Sequence, residues 1–222
     1  MSTRWPPRRE VRWDDTHRLI PDSRAHPAPI LEGSLAELAG ATSRRALVQY
    51  GRLPSGIHHD ELVFGVPEWH IVNAAFCYPN PLGARFSSAE RGAWYAGRSI
   101  DTSIAEVAFH KTVELAETNW FDLSITYVDY LADIHGTFHD LRGPRRQKAE
   151  ACLDPSSYAA SQQLAQQLLD EGSSGVAYPS VRHPSGEAIA CFRPAIVGHV
   201  RRGGRVRLSW SGRPEPRVRR LK

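Results

Sequence analysis

From Gly92 onward, short apolar runs separated by turn residues leave room for only a few helices, and this limits the chain to sheet-centred folds. Gly92–Ala96, Trp120–Val128, Val176–Tyr178, Ala188–Phe192 and Ala195–Val200 read as strands. Trp120–Val128 alternates in the period of two that a half-buried strand requires, with Phe121, Leu123, Ile125 and Tyr127 on one face. Ala46–Tyr50 and Leu62–Val66 add two shorter runs around the turn-rich Leu53-Pro-Ser-Gly.

Two longer segments have helical spacing. After Asp101, a capping residue type, Ile104, Val107, Ala108 and Leu115 fall on one face. Asp154-Pro155 has the form of a helix start, and the pattern runs through Leu164, Leu168 and Leu169 to about Glu171, where Gly172 ends it. Strands outnumbering helices, with no internal repeat, predict an α+β fold with a central mixed or antiparallel sheet and flanking helices.

Pro6, Pro7, Pro21, Pro27 and Pro29 among mixed charges make residues 1–45 read as a partly irregular N-terminal arm, with a short helix expected at Ser34–Ala39. The globular domain is expected over 46–200. The remainder, 201–222, holds nine Lys/Arg and one Glu, so it carries +8 of a chain total of +4 and leaves −4 on the rest. It reads either as a solvated end or as a docking strip for an acidic partner or nucleic acid.

With 41% hydrophobic and 23% charged residues the chain has the makeup of a globular protein. No apolar run is long enough to span a bilayer, and the basic N-terminus is not followed by the apolar stretch of a secretory signal, so a cytoplasmic location is expected. Cys77, Cys152 and Cys191 form no CxxC pair and are odd in number, which argues against a disulfide framework and a structural zinc site. His58-His59 has no further spaced ligands. There is no GxGxxG, P-loop, HExxH or GxSxG. By composition alone Glu106 reads as an exposed helix glutamate, Arg85 as a surface ion-pair partner and Ser180 as a turn hydroxyl.

Two segments change those readings. Gly83-Ala-Arg85-Phe-Ser-Ser, Arg91-Gly-Ala-Trp-Tyr95-Ala and Thr102-Ser-Ile-Ala-Glu106-Val follow one another, and Gly175-Val-Ala-Tyr-Pro-Ser180-Val-Arg182 with Ala188-Ile-Ala-Cys-Phe192-Arg-Pro lies downstream. Together they resemble the central and C-terminal signatures of the RES-domain family, named for an arginine, a glutamate and a serine. The resemblance implies an ADP-ribosyltransferase-like fold. It also implies a toxin that consumes NAD⁺ by cleaving the nicotinamide–ribose bond, restrained by a helix-turn-helix (Xre-type) antitoxin.

In that reading Glu106 and Arg85 are catalytic, and Tyr95, Ser180 and Arg182 bind substrate. NAD⁺ is the substrate, so no metal or resident cofactor is expected. Glu106 would stabilise the oxocarbenium-like ribose, the arginines would grip the pyrophosphate and Tyr95 would wall a flat ring, with Trp94 facing the other side of its strand. Family members commonly carry a further arginine on an early strand, for which Arg52 and His70 are the nearest counterparts. Transfer of ADP-ribose to a protein is the first alternative. A basic nucleic-acid-binding protein is the second, although no nucleic-acid-binding motif is present and neither direct nucleic-acid binding nor a membrane partner is expected.

Overall fold

The computed structural model describes residues 6–25, 56–143 and 147–221. The helix expected at Ser34–Ala39, the strand expected at Ala46–Tyr50 and Arg52 lie outside the described residues. The strands are β1 (Arg8–Pro21), β2 (Trp94–Gly97), β3 (Asp122–Asp140), β4 (Gly175–Pro179), β5 (Glu187–Cys191), β6 (Val197–Ser211) and β7 (Arg217–Leu221). The helices are α1 (Trp69–Cys77), α2 (Ile100–Thr118), α3 (Gln147–Cys152) and α4 (Ala159–Asp170).

The strands form one mixed seven-stranded sheet in the order β1-β2-β5-β4-β3-β6-β7, with β3–β4 parallel and the other pairs antiparallel. Because β1 also pairs with β3, the first five strands in that order close into a ring, and β6 and β7 extend from β3. Among the described residues no helix is long and apolar enough to cross a membrane.

Three buried clusters hold the helices against this sheet. Trp94, Tyr130, Ile134, Phe138 and Ile189 pack with Phe76 of α1. Phe86, Val176, Tyr178, Ala190 and Phe192 pack with Leu164 and Leu168 of α4. Leu208 and Trp210 pack with Ile104 and Leu115 of α2, and Val107 and Ala108 lie against them. Trp94 and Tyr95 enter different clusters because neighbouring strand residues point to opposite faces. All three cysteines are buried free thiols.

Several elements depart from the sequence reading. The segment read as an arm contains β1, which contributes Val11, Trp13 and Leu19 to the cores. A bulge between Trp13 and Thr16, with Asp15 at φ 53°, interrupts its alternation. Leu62–Val66 is a loop, since the Asn73 side chain satisfies Val63 in place of a neighbouring strand: Val63 N donates to Oδ1 at 3.1 Å and Nδ2 donates to Val63 O at 2.8 Å. Helix α2 is capped by Ser99, which accepts from Thr102 N, so Asp101 lies in the first turn. Helix α4 starts at Ala159 rather than Pro155, because the Asp154 carboxylate accepts from Ser156 N and Oγ at 2.7 and 2.6 Å and closes a local turn.

The basic end is likewise not a free tail. It forms the β6–β7 hairpin, and four of its eight arginines have acidic partners among the described residues: Arg201 with Asp133 and Asp15, Arg202 with Glu68, Arg205 with Asp22 and Arg220 with Asp101.

The loop before α1 is pinned by buried Arg91, which meets Glu61 in a fork at 2.7 and 2.8 Å and donates to the carbonyls of Gly56 and Phe192. The Arg91 hydrogen bonds hold Glu61 at about 2, against an ordinary 4.5. Since the folded value lies below the unfolded one, this stabilisation is complete above about pH 4.5 and is lost as pH falls toward 2. At 1.36 kcal/mol per unit the shift is worth at most about 3 kcal/mol. Urea midpoints measured from pH 6 to 2.5 are expected to fall more steeply for wild type than for Glu61→Gln; parallel slopes would contradict the pin.

Candidate active site

The chain segments that carry the two signatures meet at one wall. Glu106 sits in the second turn of α2, with 27% of its side chain exposed. Ser180 follows directly on β4, and the hydrogen bond from Ser180 N to Gly186 O closes the turn after it. Within that turn Ser180 Oγ accepts from Arg182 N at 3.2 Å and His183 N at 3.0 Å. A hydroxyl has two acceptor positions and one hydrogen. With both acceptor positions used by the turn, the hydrogen is directed to Glu106 Oε1, 2.6 Å away. The turn is tied to the start of α2 by His183 Nδ1 and Thr102 Oγ1 at 3.0 Å. Glu106 is thus oriented by a strand end 74 residues further along the chain.

The two arginines both donate to the backbone of one segment, Arg85 to Cys152 and Asp154 and Arg182 to Pro155. Arg182 lies on the Phe109 ring at 3.4 Å and donates through Nη2 to Pro155 O at 2.6 Å. Arg85, 7% exposed, donates through Nη1 to Cys152 O at 3.0 Å and Asp154 O at 2.8 Å, with its guanidinium 4.8 Å from the Tyr158 ring centre. Burial raises the Tyr178 phenol well above its ordinary value, with Glu106 adding to the rise and Arg85 opposing it. His110 Nε2 lies 4.0 Å from Glu106 Oε2. Desolvation lowers its titration; Glu106 opposes that shift, while Arg182 and Arg85 add to it.

Tyr95 is placed as a brace. Its hydroxyl donates to Ser87 Oγ and accepts from Phe86 N, both at 3.0 Å, and burial pushes it up to about 12. It therefore fixes the turn that follows Arg85. Glu106, Ser180 and the turn that carries Arg182 form the wall; Arg85 is linked to it through the segment whose Asp154 and Pro155 carbonyls the two arginines take, and Tyr95 braces the turn after Arg85. A small cavity lined by Phe86, Ser87, Gln162 and Phe192 adjoins Tyr95's partners but includes neither Glu106 nor Ser180.

Sequence reasoning missed Arg18 and His110. Arg18 is an arginine on the first strand, whereas His70 lies on α1 beside Glu68 at 3.6 Å. Arg18 donates to Tyr95 O at 3.0 Å and lies over the Trp94 indole at 4.8 Å. Burial lowers it to about 10, which keeps it cationic at neutral pH. The alternation of Val11 and Trp13 was the available signal for its strand. His110 had the signal of lying one turn beyond Glu106. Among the described residues no group of three or more His, Cys, Asp or Glu side chains is placed to hold a metal ion.

No curated protein matches the chain. Among solved structures it is similar to a chain of the M. tuberculosis MbcT–MbcA toxin–antitoxin complex, at 12% identity over 90% of this chain and 87% of that one, with a TM-score of 0.45. The family model for the RES domain matches residues 62–211, more than half of the chain, including Arg85, Glu106 and Ser180 and reaching into β6. The chain therefore belongs to the RES-domain family.

Proposed function

We propose that this chain is an NAD⁺-consuming toxin that cleaves the bond between nicotinamide and ribose and is restrained by an Xre-type helix-turn-helix antitoxin covering the site. The observation that carries the reading is the Ser180 hydroxyl donating to Glu106 with both of its acceptor positions fixed by its own turn. Such an arrangement holds one carboxylate in a set direction, as stabilisation of a developing cation requires. Family membership supports the substrate, the ADP-ribosyltransferase-like character of the fold and the antitoxin.

The chemistry suits the groups present. Departure of nicotinamide breaks the ribose C1′–N bond, both electrons stay with the ring nitrogen, and the leaving group becomes neutral. No strong acid is needed to protonate it. Positive charge builds on the ribose, opposite Glu106. Water adds to C1′ and gives up a proton, and ADP-ribose results; phosphate in place of water would give the 1-phosphate. Arg85 and Arg182 supply the donors for the pyrophosphate, and guanidinium forks suit phosphate oxygens. Four arginines of the β6–β7 hairpin, Arg201, Arg202, Arg205 and Arg220, pair with acidic side chains of the fold, which takes up about half of the charge that motivates the nucleic-acid reading.

Induced expression is expected to lower cellular NAD⁺, and expression of Glu106→Ala to leave it unchanged. Equal depletion by both would remove Glu106 from the reaction. ADP-ribose found on proteins rather than free in solution would move the activity to protein modification. Ser180→Ala removes a hydrogen bond to a charged group, worth about 1.5–3 kcal/mol, so kcat should fall roughly 10- to 100-fold with KM little changed. Steady-state kinetics checks this, and an unchanged kcat would refute the orienting role.

A further inference from the structure

The donors assigned to the pyrophosphate are already occupied by the chain itself. Arg85 Nη1 donates to the carbonyls of Cys152 and Asp154, and Arg182 Nη2 donates to that of Pro155. The Tyr158 ring lies on the Arg85 guanidinium. Both arginines are therefore held by one short loop between α3 and α4. Its ends are fixed by Cys152 and Leu153, which are buried, and by the first turn of α4. Between them Pro155, Ser156 and Ser157 are exposed, and Asp154 and Tyr158 are half-buried. Besides the arginine contacts, the loop is held by the Asp154–Ser156 turn, by Ala159 N donating to Ser157 Oγ at 3.4 Å, and at its C-terminal end by Tyr158 O, which accepts from Gln162 N at 2.8 Å and Ser161 Oγ at 3.0 Å and forms the hinge. A segment with little buried surface and exposed hydrogen bonds opens at low cost.

We propose that Asp154–Tyr158 is a lid whose Asp154 and Pro155 carbonyls stand where phosphate oxygens of a dinucleotide bind, so the site exchanges its own loop for substrate; this rests on the NAD⁺ reading above. The exchange is favourable because it replaces neutral carbonyl acceptors with anionic oxygens, which add an ion pair to each hydrogen bond and suit the guanidinium fork. Cys152 O, on buried backbone, stays as the anchor that keeps Arg85 aimed. The closed loop keeps Arg85 from standing as an unpaired buried cation in the free protein. It also reduces the apparent affinity to the intrinsic affinity multiplied by the fraction of molecules in which the lid is open.

The test is calorimetric titration of the full chain with ADP-ribose, comparing wild type with Tyr158→Ala and Asp154→Ala, each checked for folding by circular dichroism. Tyr158→Ala removes the ring from Arg85, and Asp154→Ala opens the turn inside the lid. Both are expected to bind ADP-ribose ~3- to 10-fold more tightly than wild type, because less energy holds the lid shut. If Tyr158→Ala fails to fold, Asp154→Ala, in a turn whose Pro155 and Ser156 are exposed, carries the comparison alone. Hydrogen exchange at Ser156–Ala159 is expected to speed up on ADP-ribose binding while that at Ser180–His183 slows. Saturable binding at equal or weaker affinity in the variants, or slower exchange in the loop, overturns the lid and leaves the NAD⁺ reading in place. No saturable binding by any of the three proteins overturns both.

Discussion

Glu106→Gln should lower nicotinamide release from NAD⁺ roughly 10³-fold while the protein folds and binds ADP-ribose as before. The substitution is nearly isosteric, and the amide oxygen of glutamine can still accept from Ser180 Oγ, which stands 2.6 Å from Glu106 Oε1. The geometry of the wall is thus retained and only the negative charge is removed. Binding of the dinucleotide rests on the arginines in this account, so KM should change far less than kcat. A transition state whose charge sits on the ribose loses its counter-charge, and the ground state, whose positive charge is spread over the nicotinamide ring, loses much less. Single-turnover measurement of nicotinamide release separates chemistry from product release. A fall in KM-dependent terms alone would assign Glu106 to binding.

The second large effect is on folding. Gly175→Ala is expected to destabilise the protein by about 4 kcal/mol or more, at the upper end of single substitutions. Gly175 opens β4 at φ 144°, and a Cβ there would stand 2.0 Å from Ala190 O and 3.0 Å from Cys191 Cα. Those atoms are backbone of β5, which is held on its other side by β2, so they cannot move aside cheaply. At about 2–4 °C per kcal/mol for a chain of this size, the melting temperature should drop by about 10 °C. Because β4 delivers Ser180, residual folded protein should also lose activity. A shift below about 1 kcal/mol would show that the β4–β5 spacing relaxes more easily than the close approach implies.

What was legible in the sequence follows from the range over which each signal acts. The α2 face, the strands of the C-terminal signature and the end of α4 at Gly172 were readable because period and turn residues are local. Strand β1 was hidden by its bulge at two aspartates, which breaks the alternation that defines a strand. Most of β3 was hidden because Asp129 and Asp140 are buried in it. They are accommodated there because His17 pairs with Asp129, and Arg142 and Arg9 pair with Asp140, all from outside the strand. The basic end looked free because its partners Asp22, Glu68, Asp101 and Asp133 are remote in sequence.

The site shows the same division. Nothing near Glu106 or Ser180 in sequence marks them as partners, and the family signatures alone joined them. Arg18 was out of reach because it sits in a segment whose prolines and charges resemble a linker. The role of Asp154-Pro155 was misread for a related reason. A capping aspartate followed by proline suits a helix start and a tight turn equally, and the turn forms here with Arg85 and Arg182 taking the carbonyls of Asp154 and Pro155.

The most direct test of the central claim is nicotinamide release by the purified wild-type protein from NAD⁺ beside nicotinamide mononucleotide, which has the same glycosidic bond and lacks the pyrophosphate. Release from NAD⁺ is expected, with a kcat/KM well above that for the mononucleotide because Arg85 and Arg182 act on the pyrophosphate. Protein free of any partner that leaves NAD⁺ intact would contradict it.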